Sequence, residues 1–256
     1  MTGSDAVLTE RRERVLVITI NRPDQRNAVN AAVAQGIAAA LDELDGEEAL
    51  SIGVITGAGK GFCSGMDLKA FVAGESPYAG QRGFAGITQQ ASAKPLIAAI
   101  EGFAVAGGLE VALACDLIVA SRGARVGIPE VKRSLVAAAG GLLRLPRVLP
   151  RNVAMELALT GEPIEAERAH QLGLINRLAE PGQALATALE LATTIAQNGP
   201  LALAASKRIL RESVDWPDSE FFERQGEISR PVMQSEDARE GATAFAEKRP
   251  PVWKGR

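Results

Sequence analysis

The 256-residue chain is poor in the residues that metals and nucleophilic relays use: one histidine, His170, two cysteines, Cys63 and Cys115, and one tyrosine. Two cysteines and one histidine are too few for a Cys/His zinc site, and no metal is expected. A Ser-His-Asp triad would have to run through His170 alone. That residue lies in Ala169-His-Gln-Leu-Gly173, near a helix end, where the dipole favours an imidazole without any chemistry. No uncharged apolar run of about 18 residues is present, so a membrane-spanning helix is not expected. Residues 1–14 are polar, with Glu10, Arg11, Arg12, Glu13 and Arg14, and lack the apolar stretch and cleavage site of a signal peptide. Without a disulfide framework either, the expected setting is the soluble, reducing cytoplasm.

An excess of positive charge is also missing. Lys+Arg number 28 against 31 Asp+Glu, giving a net charge of −3, which argues against a nucleic-acid partner. The apolar fraction of 46% with 23% charged residues is that of a globular protein. At about 150 residues per domain, the length allows one large domain or two small ones.

Alternating strand and helix signals fill the first three quarters of the chain. Val15-Leu-Val-Ile-Thr-Ile20 reads as a buried strand that ends at Asn21-Arg-Pro23. Asn30 can cap a helix with the apolar stripe Val33, Ile37, Ala40, Leu41 and Leu44. Further strands are predicted over residues 51–56, 94–100 and 116–120, and Asp67 reads as the cap of a short helical turn. Residues 74–86, with four glycines and a proline, read as a mobile segment. Helices are predicted over 152–159, 166–172, 184–197, 201–212 and 219–232. The pattern implies an α/β core over residues 1–195 and a helical region over 196–256.

Gly57-Ala-Gly-Lys-Gly-Phe62 follows a strand yet fits neither phosphate-binding pattern. No glycine stands at 54, Lys60 is followed by Gly61, and Phe62 occupies the third dinucleotide glycine. A second glycine turn, Ala106-Gly-Gly108, opens a helix. The Gly107 N–H there has no intrahelical acceptor and feels the positive dipole end, as an oxyanion-hole donor would. Gly107 is expected to lie off the core, so that a side chain would block chemistry without harming folding, whereas Gly108 packs within the helix. Glu110 follows one turn on among apolar neighbours, and Glu130 follows Ile128-Pro129. Burial and mutual proximity would raise both carboxyls toward the range useful near neutral pH. Singly, each also reads as a dipole-stabilising surface acid, and spacing does not say whether they meet. Asp116 reads as a residue that fixes a strand start.

These residues, taken in order, resemble the enoyl-CoA hydratase/isomerase (crotonase) family over nearly the whole chain. The matching pieces are Asn21-Arg-Pro23 with Asn27-Ala28, residues 56–68, Gly102 to Asp116, Pro129-Glu130, Leu159-Thr-Gly161, 169–176 and 244–248. The resemblance implies a spiral of ββα units with a C-terminal helical trimerisation region, assembled as a homotrimer or as a hexamer made of two trimers. It implies an acyl-CoA thioester substrate, coenzyme A being part of the substrate and no separate cofactor being needed. The oxyanion hole would be the amides of Met66 and Gly107. Substrate and CoA contacts would fall on Ala28, Ser64, Gly65, Met66, Asp67, Leu68 and Gly107. Glu110 would activate the water that attacks C3 and Glu130 would protonate C2, the pairing of an enoyl-CoA hydratase. The alternatives are a Δ3-Δ2 isomerase, which needs one carboxylate, a carnitinyl-CoA dehydratase-like enzyme, and a non-catalytic acyl-CoA-binding or RNA-associated member. Val136-Ala-Ala-Ala-Gly-Gly141 departs from the usual Pro-Gly-Ala-Gly-Gly, with Ala137 and Ala138 standing where residues shape the acyl pocket. Pro129-Glu-Val-Lys132 resembles the carnitinyl branch at least as well as the short-chain branch.

Overall fold

The computed structural model describes residues 6–256; the part of the polar N-terminal reading that covers residues 1–5 lies outside them. The chain opens with the antiparallel hairpin β1 (Val7–Arg12) and β2 (Val15–Ile20), followed by α1 (Ala31–Gly46) and β3 (Ile52–Gly57). A short helix α2 (Leu68–Val72) and two-residue strands β4 (Tyr78–Ala79) and β5 (Gly83–Phe84) lead to β6 (Leu96–Ile100) and β7 (Phe103–Val105). Then come α3 (Gly107–Ala114), β8 (Leu117–Ser121), β9 (Arg125–Gly127), a 3-10 turn (Pro129–Arg133), α4 (Gly141–Val148) and α5 (Arg151–Thr160). The rest is β10 (Ile164–Glu165), α6 (Ala166–Gln171), β11 (Arg177–Ala179), α7 (Ala184–Ala196), α8 (Pro200–Glu212), α9 (Phe221–Met233) and α10 (Glu236–Glu247).

The main sheet has the order β1-β2-β3-β6-β8-β11, and every pairing from β2 onward is parallel. Parallel strands covered on both faces read as continuous apolar runs, which is why β2, β3, β6 and β8 stood out in the sequence. Alternate residues enter two cores. Leu16, Ile18, Ile55 and Leu96 pack with the α1 and α3 side. Val15, Val17, Ile52, Val54 and Ile97 pack against Ala184, Ala188 and Leu191 of α7. A smaller sheet, β10-β9-β7, lies beside the first. Two successive turns of the chain put one strand in the main sheet and the next in the small one before a helix returns, β6-β7-α3 and β8-β9-α4. This is the expected ββα spiral.

One reading of the sequence is extended and one is corrected. The polar stretch before Val15 contains β1, an edge strand paired along its whole length with β2; its charged side chains Glu10, Arg11 and Arg12 face solvent, a common protection for an edge. The supposedly mobile residues 74–86 are packed at their end. Phe84 and Ala85 are buried, and Gly86, at φ +68°, lies against α1 so closely that a Cβ would fall 2.2 Å from the Ala34 carbonyl oxygen.

Asp116 does fix a strand start, and it also anchors the C-terminal helices. Its carboxylate accepts from the Leu96 amide at 2.8 Å and pairs at 2.7 Å with Lys207 of α8, whose side chain is 9% exposed. Helix α10, which the sequence reading missed, begins at Ser235, whose hydroxyl accepts from the Ala238 amide. Along α8 to α10, Leu210, Phe222, Met233 and Phe245 are each more than two-thirds exposed. Removing one member of a buried ion pair leaves the other uncompensated. Asp116→Ala should therefore lower stability by about 3 kcal/mol, read by denaturant unfolding. The double variant Asp116→Ala/Lys207→Met should recover part of the loss.

Candidate active site

The site is built where three backbone segments leave the small sheet side by side. Cys63 bridges Ala104 in parallel, with the Val105 amide donating to the Cys63 carbonyl at 3.1 Å. On its other edge β7 pairs in parallel with β9, Val105 opposite Gly127, and the Ala106 amide donates to the Gly127 carbonyl at 2.9 Å. Beyond these pairings the segments continue as Ser64-Gly65-Met66, Ala106-Gly107 and Ile128-Pro129-Glu130.

Gly65 and Gly107 form the contact between the first two segments. Gly65 has φ +92°, and a Cβ there would lie 2.9 Å from the Gly107 nitrogen and from the Ala106 Cβ. Ala106 itself is held at φ 54°, ψ −134°, a strained conformation for a residue with a side chain. Val29 donates to the Gly65 carbonyl and accepts from the Asp67 amide, so the Met66 N–H between them turns the other way. Among the described residues neither the Met66 nor the Gly107 amide has a hydrogen-bond acceptor.

Side chains behind this wall hold it in place. Asn27, buried at φ 55°, accepts from the Arg22 amide and donates to the carbonyls of Ala58 and Gly61. The Arg22 guanidinium donates to the Ala28 carbonyl at 2.6 Å and to Asp67 at 2.9 Å. Asp67 also caps α2 by accepting from the Lys69 and Ala70 amides. Burial opposes its charge, but the Ala70 amide and Arg22 outweigh it and hold the carboxyl below its ordinary value. The Cys63 thiol, pushed up to about 12 by burial, is no nucleophile.

The two glutamates meet at one cavity in unlike environments. Glu110 is 3% exposed, and its Oε1 accepts from the amides of Ala139 and Gly141, both at 2.8 Å. Burial raises its pKa, while the two amides and the Arg144 guanidinium hold it back. Glu130 has a buried Oε2 with no hydrogen-bond partner among the described residues. Its pKa is pushed up to about 7, chiefly by burial; its own backbone amide opposes this and the charge of Glu110 adds to it. One carboxyl is thus held as an acceptor and the other is poised to carry a proton.

The cavity has a volume of about 1390 Å³, and Ala28, Ser64, Met66, Asp67, Leu68, Gly107, Glu110 and Glu130 all line it. Gly65 does not; it lies behind the surface as the spacer between the loops. Five basic side chains, Arg22, Arg26, Lys69, Lys132 and Arg133, line it together with five acidic ones, Asp24, Asp67, Glu75, Glu110 and Glu130. His170 is elsewhere, its Nδ1 2.7 Å from the Ile175 carbonyl oxygen.

The sequence profile of the family described as enoyl-CoA hydratase/isomerase matches residues 10–256. The chain belongs to the enoyl-CoA hydratase/isomerase family. Among its relatives, enoyl-CoA hydratase EchA19 of Mycobacterium tuberculosis is 42% identical over 262 residues, which cover 100% of this chain and 98% of that protein. Carnitinyl-CoA dehydratase of Salmonella typhi is 41% identical over 99% of this chain and 100% of its own. The crystal structure of enoyl-CoA hydratase EchA1 from Mycobacterium marinum superposes with a TM-score of 0.97 at 58% identity, covering 99% of this chain and 100% of that one. The fold is therefore that of the crotonases.

Within this enoyl-CoA hydratase/isomerase family member, one expectation about Gly107 is overturned. The residue is buried, and a Cβ would fall 2.6 Å from Cζ of Phe84, whose ring also packs edge-on to Tyr78 at 5.9 Å. Gly107→Val is therefore expected to disturb packing as well as chemistry. Gly108 packs outside its own helix, with a Cβ placed 2.2 Å from the Cys63 carbonyl oxygen, so a side chain there would press on the segment that leads to Met66. The sequence reading missed Phe84, and it missed the Ala139 and Gly141 amides that hold Glu110. The consecutive glycines Gly140-Gly141 at the start of α4 were a visible but unused signal.

Gly65 gives the cleaner test of the wall. Gly65→Ala should push the Gly107 segment aside and lower turnover by about 10²-fold, the loss typical of one misplaced oxyanion donor. Steady-state kinetics with a circular-dichroism melt in parallel measures both effects.

Proposed function

We propose that this chain is an enoyl-CoA hydratase, adding water reversibly across the 2,3 double bond of a 2-enoyl-CoA thioester. The observation that carries the reading is the pair of glutamates on one cavity, Glu110 held by two amides and Glu130 unpartnered, beside two amides without acceptors. In the proposed reaction the thioester oxygen sits between the amides of Met66 and Gly107. Glu110, as carboxylate, takes a proton from water as the hydroxyl oxygen bonds C3. The electrons of the double bond move toward the thioester, whose oxygen carries the developing enolate charge. Glu130, as carboxylic acid, delivers its proton to C2, and the enolate electrons form the new C–H bond. Dehydration is the same path reversed. Coenzyme A enters only as part of the substrate, and the basic side chains around the cavity suit its phosphates.

The relative named carnitinyl-CoA dehydratase supports a second reading, dehydration of a 3-hydroxyacyl-CoA with a polar acyl group, through the same residues. An isomerase would need one carboxylate, and the distinct environments of the two favour the hydratase. A non-catalytic acyl-CoA- or RNA-binding role leaves the buried, unpartnered Oε2 of Glu130 without a purpose. The exposed apolar side chains of α8 to α10 support a homotrimer or a pair of trimers, with residues 196–256 as the assembling region. Two unpaired cysteines support a reducing, cytoplasmic setting. Among the described residues no helix is long and apolar enough to cross a membrane.

Glu110→Gln and Glu130→Gln should each lower hydration by at least ~10²-fold with little change in thioester affinity. Near wild-type turnover in either variant would sink the two-carboxylate mechanism. Hydration needs Glu130 protonated, so kcat/KM should fall as pH rises through about 7, and that basic limb should vanish in the residual activity of Glu130→Gln. Light scattering on the intact protein should give a multiple of three times 26.8 kDa, and a monomer at micromolar concentration would contradict the assembly.

A further inference from the structure

Beside the turn that holds Glu110 lies a half-buried arginine that the reaction as written does not use. Arg144 projects from the first turn of α4 back across Gly140, whose φ of +104° and missing side chain make room for it. A Cβ at Gly140 would fall 2.0 Å from the Arg144 Nη1. The guanidinium donates to two carbonyls: Ala139 at 3.3 Å and Thr88 at 2.6 Å. Among the described residues it makes no ion pair within salt-bridge distance.

Those two carbonyls belong to the two structures that shape the reacting centre. Ala139 and Gly141 are the residues whose amides hold Glu110 Oε1. Thr88, itself buried, donates through its amide to the Phe84 carbonyl at 3.2 Å, and the Phe84 ring is what a side chain at Gly107 would strike. One guanidinium therefore fastens the turn that holds the carboxylate to the segment that walls the oxyanion amide.

We propose that Arg144 is a positioning residue for the reaction, joining the residue 139–141 turn behind Glu110 to the residue 84–88 segment behind Gly107 and bringing its positive charge to the turn that holds Glu110. This rests on the hydratase reading. The titratable groups acting on Arg144 are Glu110 from α3, Arg147 from its own helix, Arg211 from α8, and the neutral Cys115 thiol after α3. Those acting on Glu110 are Arg144 and, across the cavity, Glu130. Burial, with Arg211 and Arg147, works against the charge on Arg144, and Glu110 sustains it. Reciprocally, Arg144 favours ionised Glu110, the form that takes a proton from water. Loss of the positive charge must then favour protonated Glu110, so the acid limb of kcat/KM moves to higher pH.

The test compares Arg144→Gln, which is neutral and retains a donor, with Arg144→Lys, which keeps the charge without the planar fork. Hydration of a short 2-enoyl-CoA is followed across pH, with a melt recorded for each protein. In Arg144→Gln the acid limb should move to higher pH by roughly half a unit or more. In Arg144→Lys the limb should stay at its wild-type position while kcat falls roughly tenfold, with KM little changed, because the turn is less well held. A wild-type acid limb in Arg144→Gln overturns the proposal whatever the melt shows. If the glutamine variant does not fold, Arg144→Lys decides alone: full kcat, or a displaced limb, overturns it. Glu110→Gln measured alongside separates the two failures, since an active Glu110→Gln removes the hydratase reading, whereas an inactive one with a normal Arg144→Gln profile removes only the role of Arg144.

Discussion

The candidate site, and with it the proposed chemistry, depends on the short strand Phe103–Val105 and on what its two edges accept. One edge takes Cys63 and the other takes Arg125–Gly127, both in parallel. Parallel neighbours leave a sheet at the same end and side by side. The chain after Cys63 therefore delivers Met66, the chain after Val105 delivers Gly107 and Glu110, and the chain after Gly127 delivers Glu130. None of these residues is near another in sequence across the three segments. Buried backbone pairing brings them together, and Gly65 sets the separation of the first two by having no side chain.

Around that scaffold the electrostatics divide two chemically identical side chains. Both glutamates lose water on burial, which by itself would favour the neutral acid. Glu110 receives two backbone amides and a nearby guanidinium, all of which favour the anion, while Glu130 keeps an oxygen with no donor and feels the charge of Glu110. In the proposed reaction this difference in hydrogen bonding assigns Glu110 as the base and Glu130 as the acid. In the same proposal the Met66 and Gly107 amides are the third requirement, fixed donors for charge that develops on a thioester oxygen.

Much of this was legible in the sequence, for reasons that also explain what was not. The strands around Ile18, Val54 and Ile97 are buried on both faces and so read as unbroken apolar runs. Glu110 was conspicuous because apolar residues surround it, and Gly107 because a glycine pair opens the helix. The strand that organises the site is only three residues long and read as part of a glycine turn, since three residues carry no period. Phe84 was hidden in a glycine-rich stretch whose composition suggested mobility, yet those glycines permit close packing against α1 and beside Gln89. Arg144 carries no signal in the sequence. Its meaning comes from Ala139 and Thr88, one of which is 56 residues away in sequence.

The central claim, that two backbone amides polarise a thioester carbonyl, is tested most directly by vibrational spectroscopy of a bound substrate analogue. A conjugated enoyl-CoA labelled with carbon-13 at C1 would be bound to the inactive Glu110→Gln/Glu130→Gln protein, so that no hydration intervenes. Isotope-edited Raman difference spectra would then isolate the C1 carbonyl stretch. The account predicts a clear shift to lower frequency relative to free ligand in water, and a smaller shift when Gly65→Ala is added. A carbonyl stretch unchanged from solution would contradict the oxyanion site at Met66 and Gly107.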